Sequence, residues 1–197
     1  MEHQMNCLLV IAHPQKDSLC GYLARKVQEQ IEAKGHQVTV KNLYEDAFNP
    51  VLRREERDSY YQAAFDQQWV AEEIAQLKQA EMLVLVFPTW WFSFPAILKG
   101  WFDRVWAPGH AYDHASDFGP ITAKLTKLKQ VRVITTLGSP WWVDRLIMWR
   151  PVRRVLKTAI LGTCSKQHDF RMLSFYNSET ASSERVDRFV NKIKGWF

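Results

Sequence analysis

Residues 82–95 read Met82-Leu83-Val84-Leu85-Val86-Phe87-Pro88-Thr89-Trp90-Trp91-Phe92-Ser93-Phe94-Pro95. The first six are apolar without interruption, the pattern of a strand covered on both faces, and such strands belong to parallel sheets. Pro88 stops the run. Pro95 is placed to open a helix, where its missing N–H costs nothing; the helix is expected to cover Ala96 to about Trp106. Between the prolines stand four aromatics in five positions, Trp90, Trp91, Phe92 and Phe94. Helical core packing would space them by three or four. Consecutive aromatics cannot all face one core, so some must face a ligand, a partner or solvent. Flat ligands suit such walls; a contact between copies of the chain is the alternative.

The same alternation recurs on either side. Cys7–Ala12 is another unbroken apolar run. Ser18 can cap a helix running to about Lys34, with Leu19, Leu23, Val27 and Ile31 on one face and Gly35 at its end. Gln37–Val40 alternates like a second strand. A helical pattern covers Arg54–Gln79, with a break expected near Asp66. Residues 107–127 read as a long loop. Gln130–Thr136 is the fourth strand, and Val143–Ile160 a helix that Pro151 should kink or split. Asp169–Phe175 is the fifth strand, and a last helix starts near Ser178 or Thr180 and runs toward Lys194. Five strands alternating with helices predict an α/β, doubly wound parallel sheet, with residues 1–197 as a single domain and ligands at the carboxyl ends of the strands.

Composition narrows the class. The chain has 197 residues, 47% hydrophobic and 24% charged, with nine Trp and eleven Phe. Its net charge of +5 is modest, and the pI is about 9.1. The nearest approach to a basic run is Arg150, Arg153, Arg154 and Lys157, and no motif supports nucleic-acid binding. Cys7, Cys20 and Cys164 are odd in number and widely spaced, against a disulfide framework or a metal site. The amino terminus lacks the marks of a signal peptide. No apolar run reaches the roughly 18 residues of a membrane span. The cytoplasm is the expected compartment.

Three loops at strand ends carry candidate chemistry. His13-Pro14-Gln15-Lys16-Asp17-Ser18 contains no glycine, so it is neither a dinucleotide nor a Walker loop. It does end at a helix N-terminus, where free N–H groups favour an anion. His13, Lys16 and Ser18 can add donors, which reads as a phosphate site. Taken singly, His13 is equally a loop histidine bonded to backbone, and Ser18 a simple cap. After the fourth strand, Thr135-Thr136-Leu137-Gly138-Ser139-Pro140 has a glycine that lets backbone approach a ligand; alone it is also a plain connecting turn.

The stretch Phe87 to Trp106, through Lys99-Gly100-Trp101, resembles the signature of the NAD(P)H:quinone oxidoreductase family. DT-diaphorase-type proteins, bacterial drug-activity modulators and ancillary flavoproteins of potassium-efflux antiporters belong to it. Ala12-His13-Pro14 with Ser18, and Ala111-Tyr112, are similar too; the match covers about residues 6–140. The resemblance implies a flavodoxin-like five-stranded sheet of order 2-1-3-4-5, a homodimer, and bound FAD or FMN. Hydride would pass from NAD(P)H through the flavin to a quinone-like acceptor, donor and acceptor taking turns. By this resemblance His13, Ser18, Leu19 and Cys20 hold the flavin phosphate. Pro88, Thr89, Trp90, Trp91 and Phe92 line the isoalloxazine ring, and Thr135, Thr136, Leu137 and Gly138 meet its pyrimidine side. Trp91, Phe92 and Tyr112 face the acceptor, Tyr112 from the other subunit. Negative charge builds on the pyrimidine side as hydride arrives, so backbone donors near Leu137 and Gly138 would stabilise it, with reacting atoms roughly 3–3.5 Å apart.

Two departures stand out. The family often has two glycines after the fourth strand, and here Leu137 precedes Gly138. The DT-diaphorase type has a Tyr and a His just downstream; Pro140–Trp149 has neither, so the proton donor is unassigned, with His114 or solvent as candidates. The segment 141–160 mixes Trp141, Trp142, Met148 and Trp149 with five basic residues. It reads as a helix packed on the core or across a dimer interface, or as a basic amphipathic helix on an anionic membrane. Two other functions compete: an ancillary regulator of a potassium-efflux antiporter, and a flavodoxin-type electron carrier, which the basic pI disfavours.

Overall fold

The computed structural model describes residues 3–62, 64–114 and 120–197. Five strands form the main sheet: β1 (Asn6–Ile11), β2 (Gln37–Asn42), β3 (Met82–Pro88), β6 (Gln130–Thr136) and β7 (Asp169–Phe175), in the order β2-β1-β3-β6-β7. Every pairing in it is parallel. Counting only these strands, the order is the expected 2-1-3-4-5. The remaining strands, β4 (Tyr112–Asp113) and β5 (Thr122–Ala123), form a small antiparallel ribbon inside the segment read as loop. Residues 115–119 of that segment lie outside the described residues.

Alternation along the strands sorts their side chains to two faces. Cys7, Leu9, Met82, Val84 and Val86 pack under α1 (Leu19–Ala33) and α7 (Ser183–Lys194). Leu8, Val10, Leu83, Leu85 and Phe87 pack under α3 (Ala71–Gln79), α4 (Ala96–Val105) and the helical stretch beginning at Pro151. β3 is buried at every position because helices cover both of its faces. β2 is an edge strand with no buried position, as its more polar sequence allows.

The structure divides the long helical pattern of 54–79. It becomes α2 (Arg54–Ser59) and α3, and the described residues between them are not helical. Part of the reason is a buried ion pair: Arg104 on α4 makes a two-pronged bond to Glu56, with both side chains almost fully buried. Glu56 also accepts from the Arg53 amide at 2.7 Å. α2 is therefore tied to α4 and cannot run straight on into α3. Gly100 belongs to the same contact. A Cβ there would strike the Pro50 backbone, so this part of the aromatic signature serves helix packing rather than ligand contact.

Pro151 splits the segment 143–160. Met148 N–H reaches back to Val143 O at 2.9 Å, one residue beyond an α-helical bond, making a π-helical turn over Val143–Ile147. Trp149 and Arg150 are left-handed, with φ of 57° and 53°, and α5 (Pro151–Arg154) starts afresh with proline in its first turn. The carboxyl-terminal helix starts at Ser183, later than the pattern suggests, after a 3-10 turn at Ser178–Thr180; Ser182 caps it by accepting from Arg185 N–H.

Candidate functional site

The carboxyl edge of the sheet brings three loops together where the chain switches direction between β1 and β3. The first leads into α1. Ser18 is its N-cap, with Oγ accepting from Gly21 N–H at 3.1 Å. The amides of Leu19 and Cys20 meet no acceptor among the described residues, which leaves the open donor pair that an anion requires. Gly21 is obligatory, since a Cβ would enter the Lys16 carbonyl. His13 Nδ1 accepts from the Gln15 amide at 3.0 Å. Burial holds its pKa below the ordinary imidazole value, against an opposing hydrogen bond to Gln15. The same Nδ1 stands 3.2 Å from the Gln15 carbonyl, to which it donates in the other tautomer, so the loop backbone holds the ring in either form. Lys16 turns away to Glu45 at 3.3 Å.

The second loop follows β3. Trp90 and Ser93 bond each other reciprocally, N–H to O at 3.2 and 2.9 Å. The two residues between them, Trp91 and Phe92, have φ of 49° and 53°. This is a type I′ turn, which normally takes Asn-Gly. Left-handed backbone costs ordinary residues roughly 1–2 kcal/mol each. Trp91 is 99% exposed, so no intramolecular packing of its ring offsets that cost. Trp90 points the other way, toward His13, with ring centroids 6.2 Å apart.

The third loop follows β6. Thr135 and Thr136 are buried, and their hydroxyls are taken: Thr135 by Thr89 at 2.6 Å, Thr136 by the Cys20 thiol at 3.4 Å. They brace β3 and α1 rather than reach outward. Burial pushes the Cys20 thiol up to about 11, partly opposed by the Thr136 bond. Leu137 N–H is spent on Phe175 O at 2.8 Å and its side chain is buried. The donor expected at Leu137 is therefore absent, because its amide extends the ladder to β7; Gly138 is left as the exposed backbone here. The Glu179 carboxylate lies beside it, 3.1 Å from where a Cβ would stand.

Thr89, Trp91, Phe92, Leu137, Gly138 and Ser139 line one cleft of about 120 Å³. Ser139 had no signal of its own in the sequence. Its hydroxyl is buried without a partner among the described residues, an orphan polar group of the kind a bound ligand satisfies. Pro88 closes β3 behind the cleft. Tyr112 is not at the cleft. It sits on the ribbon, its hydroxyl on Tyr60 at 3.2 Å and its ring edge-on to His114 at 5.1 Å, behind a separate cavity of about 630 Å³ walled by Tyr60, Tyr61, Phe65, His110 and His114. Burial, first, and the Tyr60 bond raise its pKa above the ordinary phenol value.

Tyr176, just past β7, also escaped the sequence reading. Its hydroxyl donates to buried Asp144 at 2.8 Å, fastening the start of the π-helical turn to the end of the sheet.

An anion-ready helix terminus beside an aromatic, partly backbone-lined cleft at the switch point defines a doubly wound protein built for a flat, phosphorylated ligand. The residues fit a flavin: open amides for its phosphate, and an orphan hydroxyl with a flat aromatic wall for its ring. The chain belongs to the flavodoxin-like fold family, whose model matches residues 5–196. It is 40% identical over 107 residues to the uncharacterized NAD(P)H oxidoreductase YcaK of Escherichia coli strain K12, covering 53% of this chain and 54% of that one. It is 33% identical over 150 residues to NAD(P)H dehydrogenase [quinone] 1 of Cavia porcellus, covering 67% of this chain and 53% of that one. The match thus spans about half the length of these relatives. The crystal structure of Smu.1420 from Streptococcus mutans UA159 superposes with a TM-score of 0.80 at 26% identity, covering 98% of both chains.

Proposed function

We propose that this protein is a cytoplasmic flavin-dependent oxidoreductase that takes hydride from NAD(P)H and delivers it to a quinone or a similarly flat acceptor. The observation that carries the reading is the strained, fully exposed Trp91 turn standing over a cleft with an unpartnered Ser139 hydroxyl. Strain of this kind persists where function uses it. The names of the relatives, NAD(P)H oxidoreductase and NAD(P)H dehydrogenase [quinone], support the same chemistry.

In this reading the Leu19 and Cys20 amides, the Ser18 hydroxyl and the His13 ring hold the phosphate of the mononucleotide moiety that FMN and FAD share. Thr89, Gly138 and Ser139 orient the ring, and Trp91 and Phe92 wall its exposed side. The flavin, when bound, supplies two-electron hydride acceptance and release. The chain's own part is to bind, orient and exclude water. A cleft this small admits donor and acceptor in turn, which makes turnover ping-pong. Tyr112 serves the cleft of a second copy in a homodimer.

The test is the visible spectrum of the flavin-reconstituted protein under anaerobic conditions. Flavin bands should bleach on adding NADPH or NADH and return on adding a soluble quinone. A chain that binds no flavin refutes the reading; bound flavin that nicotinamide does not bleach refutes the enzymatic part of it.

A further inference from the structure

The segment that follows the cleft is not absorbed by that function. Of residues 141–157, Asp144, Val152 and Leu156 turn inward to full burial. Trp141, Trp142, Leu146, Ile147 and Trp149 remain 47–70% exposed. The helix is therefore not simply packed on the core. Pro151 and the left-handed pair Trp149–Arg150 break the backbone between the π-helical turn, which carries Leu146 and Ile147, and α5, which carries Arg153 and Arg154.

The charges around them are of one sign. Arg145, Arg150, Arg153, Arg154 and Lys157 have no carboxylate partner among the described residues, whereas basic groups elsewhere, such as Lys41, Arg104 and Arg132, do. The one acid of the segment, Asp144, is buried and bonded to Tyr176. We propose that residues 141–157 dock the protein onto an anionic lipid bilayer, the indoles and aliphatic side chains entering the headgroup boundary and the arginines meeting lipid phosphates.

Charge decides against the other occupants. A two-fold contact centred on this patch would set its cations against their own images, with no exposed acid in the segment to relieve them. A nucleic acid would use the arginines and indoles but would gain nothing from Leu146, Ile147 and Val155, which suit acyl chains. Among the described residues no helix is long and apolar enough to cross a membrane, so the contact is interfacial. Each basic side chain near an anionic leaflet contributes roughly a fivefold gain in partitioning, and the exposed apolar groups add to it. Docking stands independently of the flavin reading, because none of these residues lines the cleft.

The experiment is flotation of the full chain with vesicles of phosphatidylcholine alone and of phosphatidylcholine with phosphatidylglycerol. Binding is expected to the anionic vesicles only, weakened at high salt. The variant R145E/R154E/K157E should lose it by at least tenfold, and L146S/W149S should lose it without altering the salt dependence of what remains. Thermal melts show that each variant is folded; if one is not, the contrast between the two vesicle types on the natural chain still decides. Absence of flotation with anionic vesicles overturns the proposal, as does equal flotation with neutral ones. Sedimentation showing self-association that these variants abolish, with no vesicle binding, overturns it in favour of a second copy. Duplex DNA binding without vesicle binding overturns it in favour of nucleic acid.

Discussion

Replacing Trp91 with asparagine should stabilise the ligand-free protein and weaken its hold on flavin together. Trp91 sits at φ 49° in the first central position of a type I′ turn, where asparagine is a favoured residue. Left-handed backbone costs a residue like tryptophan roughly 1–2 kcal/mol, and asparagine escapes most of this because its short polar side chain bonds locally. At 99% exposure the indole buries nothing that its loss would forfeit. The net gain is about 1 kcal/mol, which for a chain of this size raises Tm by roughly 2–4 °C. In the flavin complex the sign reverses: an aromatic stacking partner contributes about 0.5–1.5 kcal/mol, so FMN affinity should fall roughly two- to twelvefold. Urea denaturation of the apoprotein, checked for an unchanged slope, measures the first effect; fluorescence quenching of titrated FMN measures the second. A destabilised apoprotein would mean that the turn is not strained. Unchanged FMN affinity would mean that Trp91 does not face the ligand.

Three other outcomes follow from the same geometry. Ser139→Ala removes a buried hydroxyl without a partner, so apoprotein stability should hold or rise by about 1 kcal/mol while flavin affinity drops; a stability loss above 1 kcal/mol in urea unfolding contradicts the assignment. Arg104→Met strands Glu56 in the interior and should cost about 3–5 kcal/mol, with Arg104→Met/Glu56→Leu recovering much of it; equal losses in both variants would show the pair is not the cause. Burial lowers the pKa of both His13 and His110. The unfolded chain therefore takes up protons first as pH falls through the ordinary imidazole range near 6.5, and stability present at pH 7 is lost below it. The pH dependence of the urea midpoint between 7.5 and 5.5 should flatten in His13→Gln/His110→Gln, and an unchanged slope would assign it to other groups.

Much of the fold was legible because its signals are local. Unbroken apolar strands such as Met82–Phe87, the Ser18 cap and the Pro151 break each follow from the covalent nature of a few consecutive residues, and alternation of strand and helix then leaves few topologies. The consecutive aromatics after β3 announced a site for the same reason: no regular element could hide them all.

What the tertiary structure decided depends on residues distant in sequence. The break of 54–79 was expected near Asp66, but the early end of α2 at Ser59 goes with Glu56 meeting Arg104 on another helix. Leu137 fails as a donor because β7 claims its amide, and Thr135 and Thr136 are internal braces because Thr89 and Cys20 lie opposite them. Ser139 matters through the partner its hydroxyl lacks, a property no residue type carries by itself. Tyr112 stands apart from the cleft of its own chain because the ribbon holds it against Tyr60. A sequence alone determines which residues must be buried and where the backbone must turn, since those follow from apolarity and local sterics. Which amide is already satisfied and which face is left open are settled only when separate elements pack, because hydrogen bonds and exposure are properties of pairs.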